Sequence, residues 1–298
     1  MLDVMSRAKD AIKAYNTALQ VYSSNIANMS VAGYKRLDIS FQSVFERLLY
    51  GGSAANVFEG LGGTNPMQIG QGSAVANVKV DFTQGSFSSA GNLDIGISGG
   101  GLFMVTPDDG NTMLYTRSGK FHIDSDGWVR TETGMKVYGY PVSGGSISGD
   151  IELLRITDPS VRKDLLSWTK EGMLAQFTEK TDDSGNPLGY PDTTTDPAAA
   201  SSDRLFQISL TSFSNPSGLQ QSQGTCFAET LSSGAPEGYG PPGYGPVGSV
   251  YPRQLEQSNV FYLEETINSL EIQRAMSGNL TVVRMASDII SQFISRLS

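Results

Sequence analysis

Seven-residue repeats at both ends of the chain constrain its fold more than any other feature. Near the start, Met5, Ile12, Leu19 and Ile26 recur every seven residues, and Ala8, Tyr15 and Tyr22 repeat with the same period three positions later. A period of about 3.5 residues is the mark of an apolar seam through which helices pack on other helices. No Gly or Pro interrupts the run, Arg7, Lys9, Asp10, Lys13 and Gln20 occupy its other faces, and Asn28 and Gly33 supply stop signals. Toward the far end, Met276, Val283, Ile290 and Leu297 form one seven-residue series and Ile272, Asn279, Ala286 and Phe293 its companion. Leu263, Ile267 and Leu270 extend the apolar face upstream, Ser258 or Asn259 can cap the helix, and Glu264, Glu265 and Arg296 carry the charges a helix dipole favours.

An ordinary amphipathic helix buries its stripe on the globular body. The shorter period at both termini points instead to coiled-coil packing, with the two ends pairing with each other. A membrane-surface helix fits less well, because acidic residues (Asp10, Glu264, Glu265, Glu271, Asp288) sit among the polar positions. A lone helix of this length is marginal in water. The expectation is therefore an assembly element, with the seam at Met5, Ile12, Tyr15, Leu19, Tyr22 and Ile26 and at Ile272, Met276, Val283, Ile290, Phe293 and Leu297.

Between the ends the pattern shortens to β-rich runs such as "LFMVT", "KVYGYPV" and "RLFQISL", separated by the turn signals "PDDGN", "DSDG" and "ETG". No strand-helix alternation is present, so the expected fold is α+β: terminal helices forming a coiled-coil layer, and an antiparallel, mostly β central domain. The expected boundaries are 1–36 and 256–298 for the terminal helices and 37–71 for a connecting helix and loop, the helix resting on Phe41, Val44, Phe45, Leu48 and Leu49. Residues 72–255 form the β-rich body, with an insertion or local helix within about 141–205 and a Gly/Pro-rich connector at 234–252.

The chemistry such a chain can host is limited. Thirty acidic against 21 basic residues give a net charge of −9, which disfavours nucleic acid as a partner. The single Cys226 precludes an internal disulfide. No apolar run approaches the roughly 20 residues that cross a bilayer, and the first residues lack an apolar signal core. A soluble chain with no membrane insertion and no cleaved signal peptide is expected. Gly96-Ile97-Ser98-Gly99-Gly100 matches a nucleophile pattern, but a Gly run and a strand follow Ser98 rather than a helix, and the only histidine, His122, sits in an apparent hairpin. Gly238, Gly240 and Gly243 match a dinucleotide pattern that Pro241 and Pro242 contradict. Asp124, Asp126 and Gly127 start a calcium loop whose remaining ligands are missing. The glycosylation sequons at Asn28 and Asn279 fall in or beside helices. No enzyme, cofactor or metal is expected.

Five ordered segments carry a resemblance. "SSNIANMSVAGYKR" is similar to the N-terminal signature of the bacterial flagellar axial (rod and hook) proteins, through Asn25, Asn28, Gly33, Tyr34 and Lys35. "DFTQGSFSSAGNLDIGISGGGLFMV" resembles the family's Gln-Gly to Gly-Asn-x-Leu-Asp stretch, with one residue fewer before Leu93. "YTRSGKFHIDSDGWV" resembles its Tyr-Thr-Arg-x-Gly-x-Phe hairpin, and "FSNPSGLQ" followed by "FAETLSSGAP" a segment of distal rod and hook proteins. "LEQSNVFYLEETINSLEIQRAMSGN" is similar to the C-terminal signature through Gln273, Arg274, Ala275 and Asn279. The resemblance implies a structural subunit of the hook-basal body, distal rod or hook, that polymerises helically and transmits motor torque. Its partners would be copies of itself, adjoining rod and hook proteins and the flagellar export apparatus. Its location would be the basal body or hook, from periplasm to cell exterior. A proximal rod subunit and a coiled-coil-tethered surface adhesin are the alternatives.

Overall fold

The computed structural model describes residues 2–44, 47–52, 63, 65–70, 72–143, 146–181, 187–192 and 204–297. The chain forms two compact units, one of Met1–Ala27, Leu37–Lys79 and Phe261–Ser298, the other of Asn28–Arg36 and Val80–Val260. The α+β expectation holds, with two terminal helices and a mostly antiparallel β body.

In the first unit, α1 (Leu2–Ala27) and α2 (Tyr262–Leu297) pack along each other. They run antiparallel, since Asn25 at the end of α1 bonds Glu265 in the first turn of α2. The capping expectation needs correction. The α2 helix begins at Tyr262, beyond both candidate caps, and the Asn259 amide is instead engaged by Arg36, Asp81 and Thr83. The connecting helix expected after residue 37 is likewise replaced by strands at Leu37–Ser43 and Arg47–Tyr50. The first pairs with Ser73–Val80, and the second pairs antiparallel with Met67–Ile69. Apolar spacing alone admitted either structure, but Ile39 is buried against Ala18 and Val21, with Leu37 and Val75 beside it, and the neighbouring strand satisfies the backbone. Phe45, and the side chains of Leu48 and Leu49, lie outside the described residues, as does most of the loop at 51–66.

The second unit is built on one antiparallel sheet, whose central path runs Leu166–Trp168, Met173–Gln176, Arg204–Ile208, Lys136–Ser143, Leu102–Thr106, Leu114–Thr116 and Cys226–Ala228. Leu102–Thr106 is buried along its whole length, as a central strand covered on both faces must be. The core gathers Ile95, Ile97, Phe103, Val105, Trp168 and Ile208, with Phe121 set edge-on between Phe103 and Trp168. The stretch "RKDLLSWTKEG" contributes one 3-10 turn, Lys163–Leu165, and the strand Leu166–Trp168, so it is part of the main sheet. The three turn signals close as turns, with backbone bonds from Asn111 to Asp108, Gly127 to Asp124 and Gly134 to Thr131.

Candidate assembly surfaces and the motif residues

The line of α1 that is most deeply buried consists of Ala8, Ala11, Ala14, Ala18, Val21 and Asn25. Steps of three and four keep these residues on one face, and small side chains let α2 approach closely. The seam residues Ile12, Tyr15, Leu19, Tyr22 and Ile26 each follow one of them in sequence, which turns them about 100° to one side, and with Met5 they are half-buried. Tyr15 stands edge-on to Phe41. On α2, Glu265 and Ala286 are buried and Ile272, Met276, Asn279, Val283 and Ile290 half-buried. Phe293 is 67% exposed, and the side chain of Leu297 lies outside the described residues.

A second apolar face of α2 is uncovered. Leu263, Ile267, Leu270 and Met285 are exposed on the side of the helix away from the line at Glu265, Ile272, Asn279 and Val283, with Val282 and Ile289 exposed on its flank. Exposed apolar side chains at several turns of one helix, away from its packed side, suit a helix that sits inside a bundle.

The motif residues have internal roles. Asn25 Oδ1 accepts from the Leu37 amide at 2.9 Å, while Nδ2 donates to Leu37 O at 2.9 Å and to Glu265 Oε2 at 3.1 Å. This joins the end of α1, the strand that follows and the start of α2. Burial, together with Glu265, Asp38 and Glu271, raises the Tyr22 hydroxyl's pKa above its ordinary value. Asn28 accepts the Val31 amide at a turn, and Tyr34 is buried. Gly33 has φ +72°, and a Cβ there would stand 2.4 Å from the Ser118 backbone nitrogen, so the position demands glycine. Gln273 and Arg274 are exposed.

Lys35 belongs to a buried ion triad in the second unit. Its Nζ donates to Glu256 Oε1 at 2.7 Å and to Thr83 O at 2.7 Å, and Arg117 Nε donates to Glu256 Oε2 at 2.6 Å. The Gly85 amide donates to the same Oε1 at 2.9 Å, and the Gly33 amide to the Glu256 carbonyl at 2.8 Å. Burial lowers the Lys35 pKa against the opposing pull of Glu256, and Arg117 lowers it further. Four of the resembling segments, "GYKR", "DFTQG", "YTRSG" and "LEQSN", thus meet around one carboxylate. Sequence reading singled out Lys35 but missed Arg117 and Glu256; the signal available was an unusual cation or acid inside each apolar, turn-rich motif.

The catalytic and ligand patterns fall elsewhere. Ser98 ends the strand Ile95–Ser98 and leads into a Gly turn, and His122 is an exposed strand residue opposite Arg130. Asp124 pairs with Arg130 at 2.9 Å and accepts the Ser125 amide, so its carboxylate shapes the turn. Gly238–Gly240 is a strand that enters a turn, not a helix.

Paired terminal helices with an uncovered apolar face, joined to a β body, define a structural protein of the axial, helix-and-β-body class. Residues 96–167 match the family described as flagellar hook protein FlgE/F/G D1 domain, and residues 8–35 the flagella basal body rod protein family. The flagellar basal-body rod protein FlgG of Agrobacterium fabrum is 31% identical over 95% of both chains, and that of Bacillus subtilis 28% identical over 99% of both. The flagellar hook protein FlgE of Borreliella burgdorferi is 35% identical over 43% of this chain and 29% of its own. The chain belongs to the flagellar rod and hook protein family and is a structural subunit of the basal body or hook. These matches do not favour an adhesin. No helix among the described residues is long and apolar enough to cross a membrane.

Proposed function

We propose that the chain is a rod subunit that polymerises helically with copies of itself and transmits motor torque, and that its terminal helices form the inner layer of the polymer. The apolar side chains left uncovered on α2 carry this reading: Leu263, Ile267, Leu270, Met285 and Ile289 are exposed within a single chain. The half-buried line Met5, Ile12, Tyr15, Leu19, Tyr22 and Ile26 on α1, with Ile272, Met276, Val283, Ile290, Phe293 and Leu297 on α2, supplies the contacts to neighbouring helices. A contact that repeats without closing gives a filament rather than a ring. Rod is preferred to hook because the rod relatives align along the whole chain and the hook relative over less than half of it.

The role is structural and needs no catalytic group, metal or cofactor. Adjoining rod and hook proteins are the expected neighbours, and the flagellar export apparatus the route outward; neither nucleic acid nor membrane insertion enters the role. Electron microscopy of the concentrated protein should show rod-like polymers. Cells deleted for the chain should lose their flagella, and intact flagella in that strain would reject the proposal.

A further inference from the structure

The segment 249–257 closes the β-rich unit without joining its main sheet. Ser249–Pro252 pairs antiparallel with Ile95–Ser98, and Gln254–Glu256 with Phe87–Ser89, each as a separate two-stranded sheet. Between the two runs Arg253 takes φ +58°, a left-handed conformation that a residue carrying a Cβ adopts only under constraint. The Arg253 amide donates to Asp94 O at 2.8 Å and its carbonyl accepts the Ala90 amide at 2.9 Å, so the kink is held from both sides. Of the segment's apolar side chains only Val250 and Leu255 are buried, whereas Leu102–Thr106 of the main sheet is buried along its whole length. Elements that bury little apolar surface open before the core does.

What holds the segment down is concentrated at Glu256, and the cations it meets are positioned without it. Arg117 Nη2 donates to Ile97 O at 3.1 Å, and the same guanidinium reaches the carbonyls of Gly99 and Gly101. Lys35 Nζ donates to Thr83 O at 2.7 Å. None of these carbonyls lies in the segment 249–257. The two cations form a socket anchored on the body, and the carboxylate is a plug carried by the segment.

We propose that residues 249–257 are a strap that opens and closes as one piece while the main sheet stays folded, with Glu256 as its latch. The left-handed Arg253 works for opening, and the pairing of Glu256 with Lys35 and Arg117 works against it. Opening uncovers the edges of Phe87–Ser89 and Ile95–Ser98 together with the two cations, and leaves the core around Phe103, Trp168 and Ile208 in place. Strap movement is a property of the single chain.

Hydrogen exchange of the dilute full-length chain, followed by mass spectrometry of peptides covering 249–257 and 102–106, tests this. Strap amides such as those of Arg253 and Gln257 should exchange about tenfold or more faster than those of Leu102–Thr106, and with a weaker dependence on urea, because opening the strap exposes less surface than unfolding the sheet. Leu174 is fully buried in a strand that pairs with Leu166–Trp168 and Arg204–Ile208, away from the strap's partner strands. Its packing is the same with the strap open or closed, so Leu174→Ala should speed exchange of Leu102–Thr106 about thirtyfold or more and leave the strap rate unchanged. Ile208→Val, expected to speed the sheet about threefold, makes the same comparison if Leu174→Ala does not fold. Glu256→Gln should speed the strap about a hundredfold or more. Equal rates and equal urea dependence for strap and sheet overturn the proposal, as does a strap that accelerates with the sheet in the core variants or keeps its rate in Glu256→Gln.

Discussion

Lys35 Nζ lies 2.7 Å from Glu256 Oε1, and both side chains are buried, with Arg117 on the carboxylate's other oxygen. Two cations share one anion, so the three residues are not equivalent. Glu256→Gln leaves two buried positive charges uncompensated and should cost about 3–5 kcal/mol. Lys35→Met leaves the neutral Arg117–Glu256 pair and should cost less, about 1–3 kcal/mol. Urea unfolding followed through the buried Trp168 measures both; equal costs would contradict this ranking.

A carboxylate placed at an apolar position of either terminal helix should separate folding from assembly. Ile289 is exposed in the single chain, so Ile289→Asp should shift monomer stability by no more than about 0.5 kcal/mol. In a dry helical layer that carboxylate would be unpaired, and assembly should fail. Leu19→Asp should likewise leave the β body folded and block assembly. Sedimentation, with circular dichroism alongside, separates folding from assembly for both variants.

The alanine line of α1 makes an opposite demand. Ala18 is fully buried between the helices and Ile39, and Ala18→Leu should overpack that contact at a cost of about 1–3 kcal/mol. Thermal unfolding detected by far-ultraviolet dichroism should show the loss, whereas a neutral effect would mean that the helices can part without penalty.

Stability should fall in alkali. Burial pushes the Cys226 thiol up from 9.0 to about 11, against a small opposing effect of Thr116, so between these values the unfolded chain loses a proton that the folded chain keeps. The stabilisation is complete below pH 9 and disappears as pH rises through about 11, a change of about 2–3 kcal/mol. Tyr115, raised first by burial and then by Tyr239, adds loss in the same direction above pH 10. Urea midpoints between pH 8 and about 10.5 should decline, and Cys226→Ala should flatten the early part of the decline.

Gly33→Ala combines a left-handed backbone with a Cβ placed 2.4 Å from the Ser118 nitrogen, so relaxation at the side chain cannot relieve it. A loss above about 2 kcal/mol is expected. Denaturant titration would expose a mild effect, which would mean that the 28–36 segment is free to move off the Ser118 turn.

The seven-residue repeats made both helices legible, because a helix brings residues three and four apart onto one face whatever surrounds it. The β runs and their turns were legible for the same local reason, through Gly, Asn and Asp at 107–111, 124–127 and 132–134. Other features were not. Large residues drew the reading to Ile12 and Leu19, and did not show that within one chain the most deeply buried line of α1 runs through Ala11 and Ala18, since close approach of two backbones rewards small side chains. Residues 37–43 carried spacing compatible with a helix, and only the partner strand at Ser73–Val80 decided between the two.

By itself, then, the order of residues determined the helices, the turns, the α+β class and the family resemblance, all of which depend on neighbours along the chain. Tertiary structure alone decided that Lys35, Arg117 and Glu256 share one buried site and that one face of α2 stays uncovered. The physical reason is range: Lys35 and Glu256 lie 221 residues apart, and no local periodicity encodes which distant charge will neutralise which when the core closes.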